Sequence, residues 1–405
     1  MIGARIRQAR LGAAMTQDEV VAALTAAGEV TLTKAGLSKY ERGGSIPKPT
    51  MLRAIARVVG VSTAFLLEEP SVSIQWLAFR KGSKLGKSQQ KQIEAVAASR
   101  VEAFVTLRRR LEPQREYRKT KRATARSPEE AERAAEMLRE QWRLGEQPIE
   151  SVTSVIEDNG GIVVEVGGEE DVFDGLSGFA DDTIPVVVVS PAVSDDRRRF
   201  SLAHELAHLF VDSGEADQKT QERIAHRFAA AFLVPAAAVR RELGEKRRHL
   251  DFHELAILKQ KHGLSMQAWI MRAADLGIID EAHARNLFAG LSAKGWRKEE
   301  PVKFEGREKP LRLRQLTVRG VSEGVLTRTE AERICPQALA DIEVECRSVR
   351  TIMDARVLLK LPKAERDRLL KQAAELVEGE YQKGGSLTGF DALSEEDHRD
   401  KPVED

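Results

Sequence analysis

Phe200-Ser-Leu-Ala-His204-Glu205-Leu-Ala-His208-Leu209 decides how this chain is read. Histidines four residues apart share one helical face, about 5 to 6 Å from each other, close enough to grip a single metal ion. Glu205 is turned by about 100° from His204, so it reaches a water on the open side of that ion without filling the same coordination direction. Such five-residue strings also arise by chance. His253-Glu254-Leu-Ala-Ile257 lacks the second histidine and reads as a structural helix. Around His204, however, Phe200, Leu202, Ala203, Leu206, Ala207 and Leu209 supply the apolar periodicity of a buried helix.

A catalytic zinc takes three protein ligands and keeps a fourth position for water. Glu222 is the candidate for the third. It lies fourteen residues past His208, at the head of an amphipathic helix that carries Ala225, Phe228, Ala229 and Phe232-Leu233 on one side. An acid in a first helical turn also complements the helix dipole, so ligand and dipole partner both stand as readings of Glu222. Two imidazoles and a carboxylate on Zn2+ would bring a water towards a pKa of about 7, with Glu205 as base when that water attacks a carbonyl. A purely structural zinc would need a fourth protein ligand, and the sequence offers a poor one. The β-branched run Thr183-Ile-Pro-Val-Val-Val-Val-Ser190 precedes the metal helix and reads as a strand. It is either an ordinary core strand or an edge that takes an extended peptide by strand addition.

A chain of 405 residues exceeds one ordinary core, and 42% hydrophobic with 31% charged content describes a globular chain rather than a disordered one. No apolar run approaches the roughly 20 residues that span a bilayer. Met1-Ile-Gly-Ala-Arg5-Ile-Arg7 does not resemble a secretion signal, so a cytoplasmic address is expected. Cys335 and Cys346 form no paired motif and read as reduced structural thiols. The net charge of +1 conceals a basic stretch from Arg80 to Arg126 and an acidic end from Ser394 to Asp405. The basic stretch is either a solvated charged helix or a source of non-specific phosphate contacts.

Residues 1–69 read as a bundle of short helices. Thr16-Gln-Asp-Glu19 is a capping box ahead of Val20, Val21 and Leu24. Thr33 to Gly43 reads as a short helix closed by glycine, Pro49-Thr50 opens another, and Val61 to Leu67 supplies a last capped turn. From 85 to 145 the pattern is charged and helix-favouring. Gly160 to Val166 reads as a further strand, and helices return from Arg197 onward.

Two resemblances follow from these residues. Arg197 to Phe210, with Glu222-Arg-Ile-Ala225-His226-Arg-Phe228-Ala229 running on to Pro235, resembles the ImmA/IrrE family of bacterial metallopeptidases. Asp174-Gly175-Leu-Ser177-Gly178 upstream and Leu264-Ser265 to Arg272 downstream also fit, so the resemblance covers residues 148–292. It implies His204, His208 and Glu222 as zinc ligands and Glu205 as catalytic base. His226 stands where that family usually has Asn or Asp, which leaves it either a neighbour of the zinc or a surface residue. No tyrosine lies in this stretch to assist at the transition state. Gln17 together with Ser38-Lys39-Tyr40-Glu41-Arg42-Gly43 resembles the helix-turn-helix of lambda-repressor type, the XRE family. That resemblance implies Lys34, Ala35, Ser38 and Lys39 at base edges in the major groove, and Gln17 and Arg42 on the backbone. Gly36 inside the recognition helix should cost about 1 kcal/mol relative to alanine.

The expected architecture is multidomain and mainly α. An all-α helix-turn-helix bundle (1–69) precedes a basic helical connector (70–147), an α+β zincin-like domain (148–292), a C-terminal helical module (293–383) and an acidic disordered tail (384–405). The expected function is a DNA-binding transcription regulator with a zinc endopeptidase, cutting a bacterial repressor or related regulator in a stress or mobile-element response. The alternative is a regulator whose zincin domain senses a ligand or partner and cuts little. Expected partners are a double-stranded operator, a protein substrate such as a helix-turn-helix repressor and, from the two-fold symmetry of operators, a second copy of the chain. No membrane partner is expected.

Overall fold

The computed structural model describes residues 2–28, 30–79, 86–114, 120–167, 173, 175–335 and a few positions between 338 and 371. The readings of Asp174, Cys346 and the acidic tail 384–405 lie outside the described residues, as does much of the module 293–383 beyond residue 335. Two compact units divide the chain, Met1–Thr327 and Arg328–Asp405.

The first unit opens with five helices: α1 (Ile2–Gly12), α2 (Gln17–Ala26), α3 (Lys34–Glu41), α4 (Pro49–Val58) and α5 (Thr63–Leu67). Both halves of the Thr16 capping box form: the Glu19 N–H donates to Thr16 Oγ1 at 3.2 Å and the Thr16 N–H to Glu19 Oε2 at 2.6 Å. Ile6, Val20, Leu24, Leu37, Ile55 and Leu66 close a common core. Thr33 caps α3 by accepting the Gly36 N–H at 3.1 Å. A Cβ on Gly36 would stand 2.8 Å from Leu32 Cδ1. The glycine lets the buried Leu32 side chain lie against the start of α3, which offsets its poor helix propensity.

Beyond the bundle come β1 (Ile74–Phe79), α6 (Lys87–Leu111), β2 (Ala123–Thr124), α7 (Pro128–Gln141), α8 (Val152–Asp158), β3 (Ile162–Glu165), β4 (Leu176–Ala180) and β5 (Ile184–Val189). Four strands form one sheet in the order β1-β4-β5-β3, antiparallel except for the β3–β5 pair. The stretch read as a helical connector therefore also contributes an edge strand to this sheet. β5 lies between β4 and β3 with every residue buried. Of the two readings of this strand, the core strand is the one observed; an interior strand has no edge to offer a peptide.

Helix α9 (Asp195–Phe210), which carries His204 and His208, is followed by β6 (Val211–Asp212), parallel to β2, and then by α10 (Gln218–Leu233), α11 (Ala236–Leu243), α12 (Phe252–His262), α13 (Met266–Asp275) and α14 (Glu281–Ala293). Leu202, Leu206 and Leu209 of α9 share a buried core with Phe228 and Phe232 of α10 and Leu138 of α7. Trp142 sets its ring edge-on to Phe210 and Phe232, with centroids 5.7 and 5.9 Å away. The stretch from 300 to 310 is tied into this body. Glu308 accepts the Val152 and Thr153 N–H groups at the start of α8 and pairs with the fully buried Arg199 of α9 at 2.7 Å. Helix α15 (Arg312–Ser322) ends the first unit, and α16 (Arg328–Ile334) lies in the second.

Candidate metal centre

Helix α9 sits between the sheet and α10, so its His204 and Glu205 are fully buried. Arg199 fixes the helix along its axis by donating to the carbonyl oxygens of Ile149 and Glu150 at 2.5 and 2.9 Å and to Glu308. Burial draws the Arg199 guanidinium pKa down from its usual value, and the Glu308 carboxylate opposes that pull. His204 and His208 are four positions apart in α9, and their Nε2 atoms stand 3.1 Å apart.

Helix α10 brings the third group. Asp217 caps it, accepting the Thr220 N–H at 2.6 Å, and no acid occupies the first turn. Glu222 therefore sits one turn deeper than the sequence reading placed it, and complementing the helix dipole does not explain it, because that effect fades within the first turn. Its Oε2 lies 3.4 Å from His204 Nε2 and its Oε1 4.0 Å from His208 Nε2. Donor atoms of His204, His208 and Glu222 all lie within 4.8 Å of one another. Tetrahedral zinc with bonds of 2.0 to 2.1 Å sets its ligand atoms about 3.3 Å apart, so two nitrogens and an oxygen at these spacings fit such an ion.

Glu205 reaches β4 with one of its oxygens. Ser177 Oγ donates to Glu205 Oε2 at 2.6 Å, and both residues are inaccessible to solvent. Gly175 forms the neighbouring wall: a Cβ there would lie 2.6 Å from Glu205 Oε1 and 2.8 Å from its Cγ. His226, one turn beyond Glu222, is exposed, yet it sets its ring edge against His204, centroids 4.9 Å apart, and tilts on Phe200 at 5.6 Å. It is thus a surface residue whose ring borders one of the candidate metal ligands. A cavity of about 840 Å³ opens over His208 and Glu222, bounded also by Leu77 of β1, Arg122, Asp212 and Gln221. Ser177 enters the sequence reading only inside the resembling stretch from Asp174 to Gly178, with no role of its own, and Leu77 does not enter it. A lone hydroxyl in a strand and a lone leucine carry no local signal, and both meet the site only through the sheet.

In the bundle, Lys34, Ala35 and Lys39 of α3 are exposed and Ser38 half-buried, while Leu37 is buried. Lys34 Nζ pairs with Asp18 at 2.7 Å, both groups in solvent. Arg42, at the end of α3, is exposed. The Gln17 amide donates to Glu41 Oε2 at 2.8 Å, beside the Arg10–Glu41 ion pair at 2.5 Å. That donor is thus engaged inside the bundle.

Among the described residues no helix is long and apolar enough to cross a membrane. No curated protein and no solved structure matches the chain. Residues 2–67 match a helix-turn-helix domain, and residues 171–273 match the family described as the IrrE N-terminal-like domain of peptidase type. The chain thus joins a DNA-binding helix-turn-helix domain to a metallopeptidase-like domain of the IrrE kind.

Proposed function

We propose that this chain is a transcription regulator carrying a zinc-dependent endopeptidase, in which His204, His208 and Glu222 hold the ion and Glu205 is the catalytic base. The observation behind this reading is the convergence of three metal-binding side chains from two helices with a buried carboxylate next to them in sequence. When bound, zinc supplies a Lewis acid that acidifies water and polarises a carbonyl. The residues of the chain do the rest. His204 and His208 are held rigid by the core around α9, which keeps their nitrogens converging. Glu205 takes a proton from the attacking water and delivers it to the leaving nitrogen.

The substrate is a polypeptide in extended form. Among the described residues the outer side of β1 has no partner strand, and Leu77 of β1 borders the cavity. An extended segment that adds to this edge would pass over His208 and Glu222. A bacterial repressor or related regulator is the substrate class that suits an enzyme bearing its own DNA-binding module. The module is of lambda-repressor type, with Lys34, Ala35, Ser38 and Lys39 at base edges of a double-stranded operator, Gln17 and Arg42 towards phosphate, and a second copy of the chain on the other half-site.

Metal content and the intact mass of a candidate repressor after incubation test the reading. About one equivalent of zinc, with cleavage by the wild-type protein and none by Glu205→Gln, supports it. Equal cutting by both proteins removes Glu205 from the mechanism. Tight operator binding without any cutting overturns the peptidase in favour of a sensor.

A further inference from the structure

We infer that Ser177 is a positioning residue of this site: its hydroxyl anchors one oxygen of Glu205 and thereby fixes where the other oxygen points. The inference rests on the reading of Glu205 as base and adds to it a residue outside the metal-binding helices. Glutamate has three side-chain torsions, and its terminal one is broad, so a glutamate on a helix does not by itself hold an oxygen at a defined place. A proton-transfer group has to lie within hydrogen-bond reach of its target, so such freedom has to be removed.

β4 removes it. Side chains alternate along a strand, which puts Ser177 and Phe179 on one face and Leu176 and Ala180 on the other. Phe179 packs against the core that contains α9, so the Ser177 face is the one turned to the metal helix. Ser177 is paired on both sides, with Val187 of β5 and Ala78 of β1, and its backbone is held by the sheet. From there Oγ donates to Glu205 Oε2 at 2.6 Å, the length of a hydroxyl bonded to a carboxylate. Gly175 closes the slot from the other side, since even a methyl group there would meet Glu205 Oε1 at 2.6 Å. One oxygen is tied and the other is confined. Donors carried on strands hold a reacting group more accurately than donors on loops.

A merely structural role for this hydrogen bond would be to satisfy a buried carboxylate, and stability alone would report it. The decisive probe is a dipeptide hydroxamate, which binds at a peptidase metal and hydrogen-bonds to the neighbouring base. Its affinity is measured by calorimetry for the zinc-loaded full chain and for Ser177→Ala, Ser177→Thr and Glu205→Gln. Ser177→Ala should keep its zinc and yet bind the hydroxamate at least roughly 10-fold more weakly, the scale on which supporting residues act at metal sites. Ser177→Thr, which keeps the hydroxyl, should recover most of that loss. Where a repressor is cleaved, Ser177→Ala should lower kcat with KM unchanged. If Ser177→Ala does not fold, Ser177→Cys gives the same comparison, because a thiol is a weak donor. Wild-type affinity in the Ser177 variants with a loss in Glu205→Gln overturns the positioning role and leaves the base standing. Wild-type affinity in all variants overturns the base, and the role of Ser177 with it.

Discussion

Arg5 of α1 and Glu102 of α6 clasp each other with both ends of their charged groups: Nη1 to Oε2 at 2.6 Å and Nη2 to Oε1 at 2.7 Å, with Arg5 only 2% exposed. Arg5 also donates to the carbonyl oxygens of Glu68 and Glu69 and lies over the Phe65 ring. Glu102 accepts the N–H and hydroxyl of Ser71 in the segment leading to β1. Burial works to raise the Glu102 pKa, but the Arg5 and Ser71 hydrogen bonds outweigh it and hold the carboxyl below its ordinary value. Its contribution is thus present above the unfolded pKa of about 4.3 and lost as pH falls through the lower folded value. Glu102→Gln should cost about 3 kcal/mol at neutral pH, since it leaves a buried guanidinium unmatched. Urea unfolding measures this, and the gap to wild type should narrow as pH falls below about 4. A gap independent of pH would show that the charge of Glu102 is irrelevant to the joint.

Arg199 and Glu308 make a similar pair deeper in the molecule, both fully buried. Glu308→Ala should destabilise the first unit by about 3 to 5 kcal/mol, because Arg199 would remain charged without its partner. Chemical denaturation followed by helical circular dichroism measures it. A change below about 1 kcal/mol would mean that the 300–310 stretch does not hold α9.

In the bundle, Arg42→Ala should weaken duplex binding about equally for all sequences and lower the slope of log affinity against log salt by about 0.9. Ser38→Ala should instead change which sequences are preferred. Gln17→Ala should cost about 1 kcal/mol of bundle stability, since the amide donates to Glu41. Fluorescence anisotropy across a salt series separates these outcomes. An unchanged slope for Arg42→Ala would take that residue off the phosphate backbone.

Chelation should leave the metal domain folded. Leu206, Phe228, Phe232 and Trp269 bury the faces of α9, α10 and α13 without help from an ion. Zinc at 100 to 1,000 times its Kd should add on the order of 3 to 4 kcal/mol, seen as a lower Tm after chelation with helical signal intact. Loss of cooperative unfolding on chelation would instead mark a structural zinc.

The local signals held where a few neighbouring residues decide the outcome. The capping box at Thr16, the Thr33 and Ser62 caps and the shared face of His204 and His208 all formed from contacts within one or two turns. What escaped depends on residues far apart in the chain. β1 reads without clean alternation and becomes a strand by pairing with β4, about a hundred residues later. β4 was taken only as part of a resemblance, since its small residues show no strand pattern until α9 packs on Ser177. The sequence pattern puts Glu222 at the head of its helix, but Asp217 caps α10 five residues before it, and that shift moves Glu222 out of the first turn. Glu308 sits in an irregular stretch, and its partners, Arg199 and the first N–H groups of α8, lie more than a hundred residues earlier in the chain.

The strand order decides where the two domains can be cut apart. A protein trimmed to residues 148–292, or to the narrower family match at 171–273, loses β1 and with it one wall of the cavity. β4 would then face water as a raw edge, an invitation to pair with another copy. Such a fragment should precipitate or form oligomers, while one beginning at residue 70 keeps the sheet complete. The metallopeptidase-like domain is thus stitched together from chain on both sides of its recognisable motif, and its first stitch is the segment that leaves the helix-turn-helix bundle.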